Sequence, residues 1–105
     1  MKQYTTPEQT AKLIGLGFEK PRLLYFGNET IGHSLYTIGE LIEMLPQTIN
    51  VFYDLSIMSS HKGWWVLYGL IGDGDMWSIE HEIYSNELID ALYDMILKLK
   101  EEEII

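Results

Sequence analysis

The chain contains no cysteine, which excludes disulfides, thiolate metal sites and a thiol nucleophile at once. It is also short of positive charge. Seven lysines and arginines stand against sixteen aspartates and glutamates, a net charge of −9. A field of that sign repels phosphate backbones, so nucleic acid is not an expected partner. No apolar run approaches the ~18 residues that a membrane-spanning helix needs. The opening Met1-Lys2-Gln3-Tyr4-Thr5-Thr6-Pro7 lacks the apolar stretch of a secretory signal. A cytoplasmic protein without a membrane partner is the expectation. Internal repeats, low-complexity segments and linkers are missing as well.

What is present suits one small α+β domain over 1–105. With 105 residues, 47% of them hydrophobic, the chain is able to bury roughly 60–70% of its unfolded surface in a single core. The charge is unevenly placed. From Asp73 to Glu103 stand ten acids (73, 75, 80, 82, 87, 90, 94, 101, 102, 103) against Lys98 and Lys100, whereas residues 1–72 carry six acids and five bases. Such a surface favours solubility, and it also suits a basic partner.

Helix signals are the clearest local features. Thr6, Pro7 and Gln9 supply a cap, a first-turn proline and a capping-box partner, and Gly17 suits a left-handed exit that folds Phe18 back on Leu13. A helix over 7–16 follows. Thr37 and Glu40 form a second capping box, with Tyr36 and Leu41 at the staple positions, so 38–45 is helical up to Pro46. After Ser85, read as an N-cap, Leu88, Leu92, Met95, Ile96 and Leu99 form one apolar stripe over 86–100, with Asp90, Asp94 and Lys98 facing solvent. Glu101 to Ile105 reads as a fraying tail.

Between the last two helices the pattern is that of a three-stranded antiparallel β-meander at 49–57, 64–71 and 76–84. Residues 49–57 alternate, 64–71 is a continuous apolar run, and Asp73-Gly74 suits a type I′ turn. Residues 59–63 read as a loop. A further short strand is expected near 22–26, followed by a Gly27-Asn28 turn and irregular chain at Gly32-His33. Pairing Ile57 with Trp64, Leu55 with Val66 and Tyr53 with Tyr68 puts Val51, Tyr53, Leu55, Ile57, Trp64, Val66, Tyr68, Leu70, Trp77, Ile79 and Ile83 on one core face. The opposite face then shows Phe52, Trp65, Leu67, Ile71 and Met76 as an apolar patch bordered by Asp54, Glu80 and Glu82. A patch of that kind marks either a covered surface or an interaction site.

Catalytic and metal signals do not assemble. His81-Glu82 lacks the second histidine of H-E-x-x-H, His81 falls on the core face, and His33 and His61 fall in loops. Asp73-Gly74-Asp75 lacks the remaining ligands of a calcium loop. The nine glycines form no phosphate-binding motif and the serines no nucleophile elbow. No cofactor is expected and no enzyme class is indicated.

Three stretches carry a resemblance. Thr6-Pro7-Glu8-Gln9-Thr10-Ala11-Lys12-Leu13-Ile14 with Gly17-Phe18-Glu19-Lys20-Pro21 is the first, and Tyr36 to Pro46 the second. Ser85-Asn86-Glu87-Leu88-Ile89-Asp90-Ala91-Leu92-Tyr93 with Lys98 to Glu102 is the third. Together they resemble small uncharacterised proteins of phages and prophages from gut bacteria of the Bacteroides type. The resemblance covers about half of the chain and implies a phage or mobile-element origin, with no functional residues to carry over.

Three functional readings follow. The first is a non-enzymatic protein-interaction module that binds a partner or itself, as a homodimer, through the patch around Trp65. The second is an acidic nucleic-acid mimic that blocks a host DNA-binding protein through Glu80, Glu82, Asp90 and Asp94. The third is a small enzyme or metal protein using His33, His61 or His81.

Overall fold

The computed structural model describes residues 1–22, 24–25, 33–72 and 75–105, without the side chains of residues 24, 25, 33, 34, 71, 72 and 75–77. Helix α1 spans Pro7–Gly15, and the short strands β1 (Leu24–Tyr25) and β2 (His33–Ser34) pair with each other. Helix α2 (Ile38–Met44) follows, then β3 (Thr48–Ile49), β4 (Tyr53–Ser60), β5 (Gly63–Gly72), β6 (Asp75–Ser85) and α3 (Leu88–Glu101). Strands β3 to β6 form one antiparallel sheet in the order β3-β4-β5-β6. The fold is α+β, with one strand more in this sheet than the expected three. The predicted strand near 22–26 is β1, and His33 lies in a strand rather than in irregular chain. The Gly27-Asn28 and Asp73-Gly74 turns lie outside the described residues.

The helices end and begin as their sequences dictate. At α1 the Thr6 hydroxyl accepts from the Gln9 backbone N–H at 3.1 Å, and the Gln9 carboxamide accepts from the Thr6 N–H at 2.9 Å. Gly17 takes φ +100, letting Phe18 N–H reach the Leu13 carbonyl at 3.2 Å and Gly17 N–H the Ile14 carbonyl at 3.0 Å. This closure is a Schellman motif. At α2 the Thr37–Glu40 box forms in the same reciprocal way, and the staple residues Tyr36 and Leu41 are both buried.

Three local expectations are corrected. The stretch 49–57 is not one strand. Asn50 and Val51 take φ +50 and +70, turning the chain back so that Ile49 pairs with Tyr53. Ser85 does not cap α3: it is still in β6, opposite Trp64, and its hydroxyl accepts from Glu87 N–H while Glu87 occupies the cap position. Nor does the chain fray after Lys100. Glu103 takes φ +60, Ile104 N–H reaches the Leu99 carbonyl at 2.9 Å, and Ile105 packs against the core.

The sheet has two unlike faces. On the inner face, Tyr53, Leu55, Ile57, Trp64, Val66, Tyr68 and Ile83 meet Leu88, Ile89, Ala91, Leu92, Met95, Ile96 and Leu99 of α3. Leu13 of α1 and Leu41 and Leu45 of α2 join the same cluster. Each such side chain contributes about 1.5–3 kcal/mol on burial, so this contact dominates the fold. Tyr68 is fully buried there, and its hydroxyl donates to the Pro46 carbonyl at 2.6 Å. Burial pushes that phenol well above its ordinary range and keeps it neutral.

The β4–β5 register differs by two residues from the expected one: Ile57 faces Val66, Leu55 faces Tyr68 and Ser59 faces Trp64. A tight turn at His61-Lys62, with Ser60 opposite Gly63, replaces the longer loop. A shift of two preserves the faces, since side chains alternate with period two. Between β5 and β6, Gly72 does pair with Asp75, but two one-residue bulges intervene, and Tyr68 ends opposite His81. Val51, Leu70 and Ile79 are exposed rather than core. Val51 sits in the β3–β4 turn. Leu70 lies beyond the reach of α3, whose C-terminal Glu102 comes level with His81, and Ile79, opposite Gly69 across the bulge at Glu80, is turned to the outer face.

Two substitutions test these backbone demands. Gly63 has φ +136, and an added Cβ would sit 2.5 Å from the Ser85 carbonyl oxygen. Gly63→Ala is expected to cost roughly 2–4 kcal/mol in denaturant unfolding. Val51 is 83% exposed and β-branched in a left-handed conformation, so Val51→Asn is expected to raise stability by about 1 kcal/mol.

Candidate functional site

The site readings meet the geometry first at the apolar patch. Leu67 lies at the centre of the outer sheet face and is 0% exposed, outside the main cluster. It offers no surface to a partner. Phe52 is exposed but sits in the turn after β3, away from the strand row expected to hold it. Ile71 and Met76 pair with each other in the ladder, and their side chains are outside the described set. Trp65 is on the outer face and partly buried. The five residues therefore do not form one open patch.

What the outer face does present is a row along β6. Glu82 and Tyr84 stand opposite Leu67 and Trp65 on this face, and Glu80, the extra residue of a bulge, follows at the end of the row, all three exposed. Tyr84 is 66% exposed, yet its ring is stacked on Trp65, its partner across the ladder, with centroids 5.2 Å apart and planes within 7°. The Trp65 indole N–H is buried without a hydrogen-bond partner among the described residues. Burying such a donor costs about 1–3 kcal/mol, so packing of the stacked pair carries it. Met58, opposite Trp65 on β4, is the exposed apolar neighbour on the other side. Sequence reasoning missed Tyr84 because its stacking partner is nineteen positions away, although the alternation placed both residues on one face.

Strand β6 is the last in the sheet order. Nine of its eleven residues pair with β5, and no described residue bonds to its outer edge. The two bulges set Glu80 and Trp77 as extra residues between successive pairs, while His81 to Ser85 runs in unbroken register with Tyr68 to Trp64. Bulges and outward charges are the usual means of blunting a sheet edge. The unbroken five-residue segment beside Tyr84 is where the edge remains regular. Neither Glu80 nor Glu82 has an ion-pair partner among the described residues.

The four acidic residues expected to form one surface are divided by the sheet. Glu82 is on the outer face and Glu80 sits in the bulge beside it, whereas Asp90 and Asp94 belong to α3 on the inner side. Asp90 is engaged: Lys2 Nζ donates to its two oxygens at 3.1 and 3.2 Å, and Gln9 Nε2 donates at 2.9 Å. Burial pulls the Asp90 carboxyl up, but the hydrogen bonds from Gln9 and Lys2 and the Lys2 charge outweigh it, and the group sits below its ordinary value. Partial burial and the nearby Asp90 charge raise Asp94 instead.

The histidines are likewise apart. His61 is exposed at the β4–β5 turn. His81 is 8% exposed on the inner face, with Nδ1 3.3 Å from a Glu102 oxygen, tying the end of α3 to the sheet. His33 lies in β2, its side chain not described. Among the described residues no three histidine, aspartate or glutamate side chains converge as a metal site would need, and no helix is long and apolar enough to cross a membrane.

A hollow of about 220 Å³ between the exit of α1 and α2 is lined by Phe18, Tyr36, Glu40, Glu43 and Met44 among others. Its polar groups are occupied. Glu40 accepts from Thr37 and Arg22 backbone N–H groups, the Arg22 guanidinium donates to Glu43 at 2.7 Å, and the Tyr36 hydroxyl donates to the Glu19 carbonyl. No protein-family model, curated protein or solved structure matches the chain, so function is read from the geometry of the site.

The Asp90 anchor gives a pH test. A carboxyl held below its ordinary value stabilises the fold at pH above its unfolded pKa of ~4 and loses that contribution as pH falls through the folded value. Asp90→Asn is expected to lower stability at neutral pH by about 1 kcal/mol or less. The gap to wild type should close in unfolding titrations below the carboxylate range.

Proposed function

We propose that this protein is a non-enzymatic interaction module that holds another protein against the β6 side of its sheet. The observation that carries the reading is Tyr84, largely exposed on a strand with no described neighbour at its outer edge, yet held flat on Trp65. An aromatic ring that is rigid before binding loses little entropy when a partner covers it, and such residues dominate interface energetics. The unpaired carboxylates beside it set the sign of the partner. The helix motifs that resemble phage and prophage proteins fit a mobile-element product that acts on a host protein.

The acidic-mimic reading draws less support, because Asp90 is neutralised by Lys2 and lies with Asp94 on the far side of the sheet from Glu80 and Glu82. The histidine reading draws less still, with His81 buried against Glu102 and His61 on a turn.

Tyr84→Ala tests the proposal. The variant is expected to keep its melting temperature within a few degrees, since the ring is mostly exposed, and to lose at least tenfold in retention of a protein captured by wild type from native lysate. Equal retention by both would refute an interface at this edge.

A further inference from the structure

The edge that presents Tyr84 also specifies what kind of chain fits it. From His81 to Ser85 the backbone of β6 is regular, paired on one side with β5 and free of described partners on the other. A strand edge of this kind has unpaired N–H and C=O groups, and an extended segment satisfies them by adding as the next strand. Cross-strand neighbours on one face stand about 4.5–5.5 Å apart, so an added strand sets alternate side chains beside Glu82 and Tyr84, with the bulge residue Glu80 next along the edge.

Charge decides the occupant. A second copy pairing antiparallel about Ile83, the midpoint of the regular segment, would set Glu82 of each chain opposite Tyr84 of the other, leaving the carboxylates without cations and bringing together two chains of net charge −9. Neutral strands would gain nothing from the carboxylates and would desolvate them. A segment with lysine or arginine at alternate positions meets both unpaired carboxylates, and a cation over the outer Tyr84 ring adds a contact of about 0.5–1 kcal/mol. Lys62 is a cation at the Tyr84 end of the strand. It lines the open hollow bounded by Ser60, Trp64, Tyr84 and Asn86, which limits the basic stretch to the Glu80–Glu82 end.

We infer that β6 binds an extended basic protein segment as an added strand, with its cations beside Glu80 and Glu82 and a side chain on the Tyr84–Trp65 stack. This rests on the interaction reading above and goes further, naming the mode of binding and the chemistry of the partner. It also gives the acids on the edge a selective role: they disfavour the protein's own acidic copies while admitting a basic strand.

The test uses the full chain, isotope-labelled for amide NMR, and a capped eight-residue peptide alternating lysine or arginine with valine and threonine. Two further peptides carry backbone N-methyl groups on one or the other alternate set of residues. The expected result is saturable shifts at His81–Ser85 and at the Trp65 indole N–H. Affinity should fall at least tenfold in the Glu80→Gln, Glu82→Gln double variant, whose fold is checked by its own spectrum. One N-methylated peptide should bind and the other should not, since only one edge of the added strand pairs.

Equal binding by both N-methylated peptides would overturn strand addition and leave plain charge attraction. Perturbation of β6 that grows with protein concentration alone would make a second copy the occupant and overturn the proposal. If the peptide leaves β6 untouched while Tyr84→Ala still abolishes partner capture, strand addition fails and the interaction reading stands. If Tyr84→Ala is also without effect, both fail.

Discussion

Seven apolar side chains of α3, from Leu88 to Leu99, lie against the inner faces of β5 and β6, and the placement of the other elements depends on that contact. Helix α1 is fixed to the start of α3 by Gln9 and Lys2 on Asp90, and α2 adds Leu41 and Leu45 to the same cluster. At the far end, Glu102 on His81 and Ile105 in the core secure the last turn. All three helices consequently share one side of the sheet.

That one-sidedness produces the functional surface. Because α3 is ~21 Å long at 1.5 Å per residue, it covers β6 only to about His81, and Leu70 beyond it is exposed. Because the order of described strands ends at β6, its far edge has no described strand beside it. The bulges at Trp77 and Glu80 break the regularity of the distal half. What remains is a short regular segment flanked by acids and by an aromatic ring already stacked in place. An interface of this size derives specificity from charge and from the rigid ring more than from area.

Much of the local structure was legible in the sequence. The two capping boxes, the Gly17 exit and the stripe of α3 are signals whose successive partners lie within five residues, and each appears as read. Face assignment of β4 and β5 survived a register error because the error was even. Long-range geometry was less accessible. Alternation alone reads 49–57 as one strand, and nothing local announces that Val51, a poor residue for positive φ, takes +70. The bulges in β6 depend on pairing with Tyr68, Gly69 and Ile71, so the sequence of β6 alone does not reveal them. The same holds for the site: Trp65 was identifiable, but its stacking on Tyr84, the burial of Leu67 and the division of the acids between two faces need the fold.

The central claim is that β6 has a free outer edge, and amide hydrogen exchange in the monomer tests it most directly. The account predicts alternation from His81 to Ser85, with amides bonded to β5 protected and the intervening ones exchanging orders of magnitude faster. The slowest exchange should fall in β5 and α3. Uniform protection along His81–Ser85 at low concentration would mean that the edge is already satisfied, and would contradict the account.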